Sequence, residues 1–385
     1  MNTMPPLDTM KTWLLAILFV VPTAQPTSAA QEPARARQAY DRAIALEAEG
    51  NQSAALSLLW EASGLAPRDA DIQNRLGEAL ERIGVLDAAV DAYRRALAER
   101  PGFRKASNNL ILALVKSGKG PEAVARARAL VAESPKDPDR YFTLGLAQSE
   151  QDVEQAIESF RRTLDLAPRH TLARYNLALV LRRADRLPEA LAELERALAI
   201  EPRPEAHYLM GVIYWHQGEI DRAVSALRAA VAAEPRYVDA HETLGTVLKE
   251  KRDWTGASAS LRRAIAIRPD VPASHYALGQ VLQLSGNERG ARAEFDEAER
   301  LRQRAALEHE ALVWTSVGIQ KASAGDLPGA LSNLRRATSV FDAYAPAHYQ
   351  TGLVLQRLGQ REAARAAFER ARTLNPSLVP PPDIR

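Results

Sequence analysis

The chain copies itself at a fixed interval. An alanine recurs at Ala55, Ala89, Ala123, Ala156, Ala190, Ala223, Ala257, Ala291, Ala330 and Ala364, with gaps of 34, 34, 33, 34, 33, 34, 34, 39 and 34 residues. A unit this short cannot bury an apolar face alone, so it must stack on its neighbours. Twelve residues after the alanine stands a proline in eight units (Pro67, Pro101, Pro135, Pro168, Pro202, Pro235, Pro269, Pro376). Five residues before it stands a glycine in seven, Gly84 and Gly218 among them. Glycine accepts the left-handed backbone that ends a helix, and proline forbids helix continuation. Each unit therefore predicts a helical hairpin, ten of them between residues 36 and 376. Gly77, Gly145, Gly211, Gly245, Gly279, Gly318 and Gly352 fall mid-way in the first helix, where glycine costs about 1 kcal/mol against alanine. Close helix approach is the expected reason, glycine facing the alanines of the second helix while the larger Tyr93, Phe160 or Phe368 interlock beside them.

The segments "YFTLGLAQ", "HETLGTVL", "HYALGQVL" and "HYQTGLVL" repeat an L-G core or a near variant. With the A, F, A and P offsets, the pattern resembles the tetratricopeptide repeat family over nearly the whole chain after residue 30. The resemblance implies an all-α, right-handed superhelical solenoid of about ten helix-turn-helix repeats, acting as a non-catalytic scaffold for a protein or peptide. The family's tryptophan position departs from the pattern. It holds His207, His241, His275 and His348, and only Trp314 fits strictly, so a packing ring is expected there. In the family, residues one, five and eight places after that position line a concave groove. Here they are Phe142, Leu146, Tyr175, Leu179, Arg182, Tyr208, Val212, Trp215 and Tyr276. Two readings stay open for this aromatic stripe: anchors for a bound segment, or rings packed between repeats. Neither the chaperone-clamping set of Lys, Asn and Arg nor an asparagine ladder can be assembled, since only Asn109 and Asn176 share the ladder's phase.

The stretch "AHYLMGVIYWHQG", residues 206–218, first suggests a metal or stacking site. Its His207 is a repeat position shared with His241 and His275, and no carboxylate or cysteine shares that phase to complete a ligand set. The pairs His241-Glu242 and His309-Glu310 are followed by Gly245 and Val313, so the H-E-x-x-H pattern is absent. There is no cysteine, which removes disulfides, thiolate zinc sites, thiol nucleophiles and a lipoprotein anchor. The 50 basic and 48 acidic residues interleave to a net +2, unlike the charged face of a nucleic-acid binder. No catalytic constellation or phosphate-cradling loop appears, so no enzyme activity, cofactor or metal is expected.

Lys11 precedes the apolar run "WLLAILFVV", Pro22 interrupts it and "TSAA" ends at Ala30, which reads as a secretory signal over residues 1–30. The run is too short to span a bilayer, although an uncleaved anchor is the competing reading. With the arginine-weighted basic content, this predicts a bacterial protein that is periplasmic or secreted. A structural subunit of a membrane-associated envelope-assembly or export complex is the alternative function. Residues 31–35 read as a polar lead-in, 36–305 as repeats one to eight, 306–376 as an irregular junction with repeats nine and ten, and 377–385 as a proline-rich tail. Between Gly290 and Gly318 there is neither Gly nor Pro, and Gln303 stands where proline is due. An extended helix fusing repeats eight and nine is expected, a five-residue loop insertion being the alternative, with a module boundary near residue 305.

Overall fold

A computed structural model describes residues 32–376 together with 378, 380 and 381. The expected signal segment and most of the tail lie outside the described residues. Among the described residues there are nineteen helices and no strand. Ten hairpins would need one helix more, and the shortfall arises because the 36-residue helix Glu288–Ser323 serves two repeats. The chain divides into two compact units at Lys251/Arg252.

The first unit holds α1 (Glu32–Ala48), α2 (Gln52–Leu65), α3 (Ala70–Arg82), α4 (Leu86–Glu99), α5 (Arg104–Lys116), α6 (Gly120–Glu133), α7 (Pro138–Gln148), α8 (Val153–Leu166), α9 (Thr171–Arg183), α10 (Leu187–Ile200), α11 (Pro204–His216), α12 (Ile220–Ala233) and α13 (Val238–Glu250). Residues 32–35 of the expected polar lead-in are helical, within α1. From α1 to α12 each first helix packs on the second helix of its own repeat, and each second helix on the first helix of the next. Second helices stop just before proline, as α2 does at Leu65 before Ala66 and Pro67.

The mid-helix glycines depart in part from the small-against-small expectation. A Cβ on Gly145 would lie 2.6 Å from Cε1 of Phe160, and one on Gly77 would lie 2.5 Å from Cε1 of Tyr93. Glycine is first the socket for the large residue itself, and at Gly211 and Gly318 the expected close approach to the alanine is also present, the carbonyl oxygens of Ala223 and Ala330 lying 3.3 Å from the Cβ position. Gly211 receives Leu227 in the same way, at 2.6 Å. Where the first helix carries Ala43 or Ala178, the partner position holds Leu59 or Leu194. In repeat three the sizes are exchanged, Ile111 on the first helix and Ala127 on the second, both buried. The summed volume is kept while its distribution moves, as close packing demands.

The turn glycines do adopt positive φ, Gly218 at 76° for example. Asp185 occupies the same place in repeat five at φ 57°. A left-handed L-residue costs about 1–2 kcal/mol, more than the extra freedom glycine brings to the unfolded chain. Asp185→Gly is therefore expected to raise stability by about 0.5–1 kcal/mol, read as a higher urea midpoint at unchanged slope; an unchanged midpoint would mean that Asp185 is not strained.

The second unit holds α14 (Trp254–Ile267), α15 (Pro272–Leu284), α16 (Glu288–Ser323), α17 (Leu327–Val340), α18 (Ala345–Arg357) and α19 (Arg361–Leu374). The segment lacking Gly and Pro is one 36-residue helix, α16, capped by the Asn287 side chain on the N–H of Gly290. It packs on α15 through its first half and on α17 and α18 through its second, so one helix serves two repeats. The expected module boundary near residue 305 is not where the compact units part. An unbroken helix crosses that point and is clamped by partners on both sides.

Candidate partner-binding surface

The histidine positions resolve first. Nε2 of His241 lies 3.1 Å from the carbonyl of Pro235, that of His275 3.0 Å from Pro269, and that of His348 2.8 Å from Asp342. Each acceptor is six residues upstream, at or beside the end of the preceding second helix. Gln73 donates to Pro67 at 3.0 Å and Arg174 to Pro168 at 2.7 Å over the same interval. At these five positions the side chain bonds to a carbonyl instead of packing as the expected ring, whereas Tyr141 at the same phase is a ring beneath the Arg162 guanidinium at 5.8 Å. A helix that stops at proline leaves carbonyls without helical partners, and a side chain from the next repeat satisfies one. Arg174 and His275 also reach the second helix of their own repeat, at Glu193 (2.6 Å) and Glu294 (2.7 Å). Trp314 fits the same logic. Its helix runs through from the preceding repeat, no stopped carbonyl needs a donor, and the indole instead lies 3.7 Å beneath the Arg336 guanidinium while donating to Glu310 at 3.2 Å. His207 stands five residues after Pro202 rather than six, and burial pushes its pKa below the usual histidine value.

Removing the donor while keeping the ring tests this directly. His241→Phe should cost about 1 kcal/mol by losing the bond to the exposed Pro235 carbonyl, whereas His241→Gln should cost clearly less because Gln73 already does the same task. Equal losses in thermal melts would return the position to ring packing.

The stripe residues Phe142, Leu146, Tyr175, Leu179, Arg182, Tyr208, Val212 and Trp215 are all half-buried and lie on the first helices α7, α9 and α11. Tyr276 lies on α15 in the second unit, exposed, its ring 5.3 Å from Phe295 and beneath Arg302 at 5.2 Å. It is not among the residues that the first unit brings together.

Within that unit the rings meet the next repeat. Phe142 lies 4.8 Å from the His170 ring, and Tyr208 lies 5.2 Å from Tyr237. His170 and Tyr237 are the N-cap residues of α9 and α13. The groove pattern in the sequence does not include either, and the signal that finds them is an aromatic ring two places after the terminating proline, as in Pro168-x-His170 and Pro235-x-Tyr237. Trp215 Nε1 donates to Glu250 at 2.8 Å, tying the end of α11 to the end of α13. Burial pushes the phenols of Tyr175 and Tyr237 above the usual tyrosine pKa, helped by the charge of Glu205 and, at Tyr237, by Tyr175 and Tyr208. Both phenols are therefore neutral donors near pH 7. Two of the flanking carboxylates are paired with cations: Glu78 accepts from Asn74 (2.8 Å), Arg75 (3.0 Å) and Asn109 (3.2 Å) and pairs with Lys105 (2.7 Å), while Glu150 accepts from Arg183 (2.9 Å). The arrangement is an aromatic, hydrogen-bonding surface with a partly neutralised rim, suited to holding a polypeptide by shape and apolar contact.

Among the described residues no three His, Asp or Glu side chains are grouped to hold a metal ion, and no helix is long and apolar enough to cross a membrane.

Comparison with known proteins agrees with the repeat architecture. Models described as tetratricopeptide repeat match residues 28–102, 208–272 and 242–306, residues 147–213, and residues 345–378. A tetratricopeptide repeat protein of Parabacteroides merdae superposes with a TM-score of 0.51 at 16% identity, covering 65% of this chain and 99% of that one. A thermophilic repeat protein of Thermus thermophilus gives 0.42 at 26% identity over 46% of this chain and 98% of its own. YrrB, described as having an unusual peptide-binding site, gives 0.40 at 19% over 46% and 91%. The repeat period, the glycine sockets and family matches over well more than half of the residues lead to one conclusion: this chain belongs to the tetratricopeptide repeat family.

Proposed function

We propose that the chain is a non-catalytic scaffold of the bacterial cell envelope or exterior that binds a segment of a partner protein along the first helices of repeats four to six. The observation that carries this is the cluster of Tyr175, Tyr208 and Tyr237 beside Arg182, Arg203 and Glu205, with Trp215 further along α11, all four rings half-buried on successive repeats. Tyrosine and tryptophan carry most of the energy in such interfaces because they bring large area at little rotamer cost. The ring contacts between repeats fix these side chains in place, which lowers the ordering cost of binding. The signal-like first thirty residues support the envelope location.

Partner capture from an envelope fraction tests the reading. The triple variant Tyr175→Ala, Tyr208→Ala, Trp215→Ala, shown by circular dichroism to keep its helicity, should lose partners that the unaltered chain retains, with affinity at least about 30-fold weaker. Retention of the same partners by both forms would assign the stripe to packing alone. Recovery of a large membrane complex by both would favour a structural accessory subunit.

A further inference from the structure

Every helix of such an array should bury one side, yet α16 has a stretch that buries none. All nine residues from Arg302 to Glu310 are exposed, between buried Leu301 and buried Ala311. The cause is geometric. At 100° per residue, Ala298 and Ala311 point about 140° apart around the axis, so the helix is gripped from one side in its first half and from nearly the other in its second. The span between is left bare.

That bare span carries a pattern. Arg302, Ala306 and Glu310 follow one another at four-residue intervals and so share a face. Arg302 and Glu310 each lie four residues from Ala306, with opposite charge, and Gln303 and His309 each lie three from it. A two-fold axis through Ala306 would set Arg302 of one copy against Glu310 of the other, twice, with Gln303 against His309 and Ala306 on Ala306. An isologous contact requires this relation, in which residue i meets j and j meets i. Alanine at the centre allows close helix approach. The two charges are held at the surface without being covered: Arg302 stacks over Tyr276 and lies 3.7 Å from Glu299, its side chain 51% exposed, and exposed Glu310 accepts from the Trp314 indole.

We propose that residues 302–310 of α16 form a homodimer interface, in which two copies of the chain cross antiparallel with Ala306 on the two-fold axis.

The chain has no cysteine, so a single introduced thiol reports on this geometry without background. Helices 8–10 Å apart, with Cα atoms 2.3 Å from each axis, place facing Cα atoms about 3.4–5.4 Å apart, the upper part of which lies within disulfide range. Ala306→Cys should form a disulfide-linked dimer under mild oxidation, while the control Ala293→Cys, exposed on the same helix, should not. No cross-link at 306, or equal cross-linking at both positions, overturns the proposal. Sedimentation of the purified chain gives an independent measure. Arg302→Glu and Glu310→Arg should each weaken pairing at least about tenfold through like-charge repulsion, and the double variant, which exchanges the charges, should restore it. A wild-type chain that is monomeric across the micromolar range, or a dimer indifferent to both single reversals, overturns it as well. All four substituted positions are exposed, so loss of folding is not the expected cause of any effect.

Discussion

Phe160→Ala is expected to destabilise the first unit by about 3–5 kcal/mol, towards the upper end of that range. The ring is fully buried, and the residue opposite is Gly145, which has no side chain to move into the space. Cavity cost depends on how far the surroundings can collapse. Here one wall is helix backbone, fixed by its own hydrogen bonds, and Phe142 at 5.9 Å is the remaining aromatic neighbour. Because stability in a repeat array is a sum of local and nearest-neighbour terms, the loss should be concentrated in repeat four. Hydrogen exchange should therefore show faster opening in α7 and α8 than in α3 and α4, alongside a lower denaturant midpoint. A loss below about 1 kcal/mol, or one spread evenly over the unit, would show that the glycine socket contributes little to holding a hairpin together.

Ala127→Phe should cost about 2–3 kcal/mol by overpacking, because Ile111 already fills the place that glycine leaves open in repeat four. Ile111→Gly alone should cost at least as much, through a cavity and the poor helix propensity of glycine. Combining them rebuilds the Gly145/Phe160 arrangement in repeat three, so the double variant should be more stable than the sum of the singles by about 2–3 kcal/mol. Strict additivity in urea titrations would mean that positions 111 and 127 do not share one pocket.

Much of the architecture could be read from residue order alone. The 33–34-residue period, the proline stops and the glycine turns gave the hairpins, and a stretch without Gly or Pro gave α16. What escaped was anything that depends on distance between atoms. The role of His241, His275 and His348 rests on a carbonyl six residues back, and only Gln73 and Arg174 at the same phase show that the donor matters rather than the ring. The pairing of glycine with the large residue, ahead of its small neighbours, needed the direction of a Cβ vector. His170 and Tyr237 were missed because they stand on caps, outside the helix positions that a groove pattern counts. The stripe itself was legible as a set of phases, but Tyr276 proved to lie in the other compact unit, which a one-dimensional pattern cannot show.

The shared helix also bears on the order in which the last repeats form. Elsewhere in the array each new helix must close its first turn afresh, fixing several dihedrals for one hydrogen bond. Between repeats eight and nine that barrier is absent. Once the first half of α16 has folded against α15, each further residue adds one backbone bond to an existing helix, and the surface that α17 needs is laid down by elongation. Repeat nine thus inherits its nucleus from repeat eight, and a proline introduced in the bare span would turn one cooperative zipper into two.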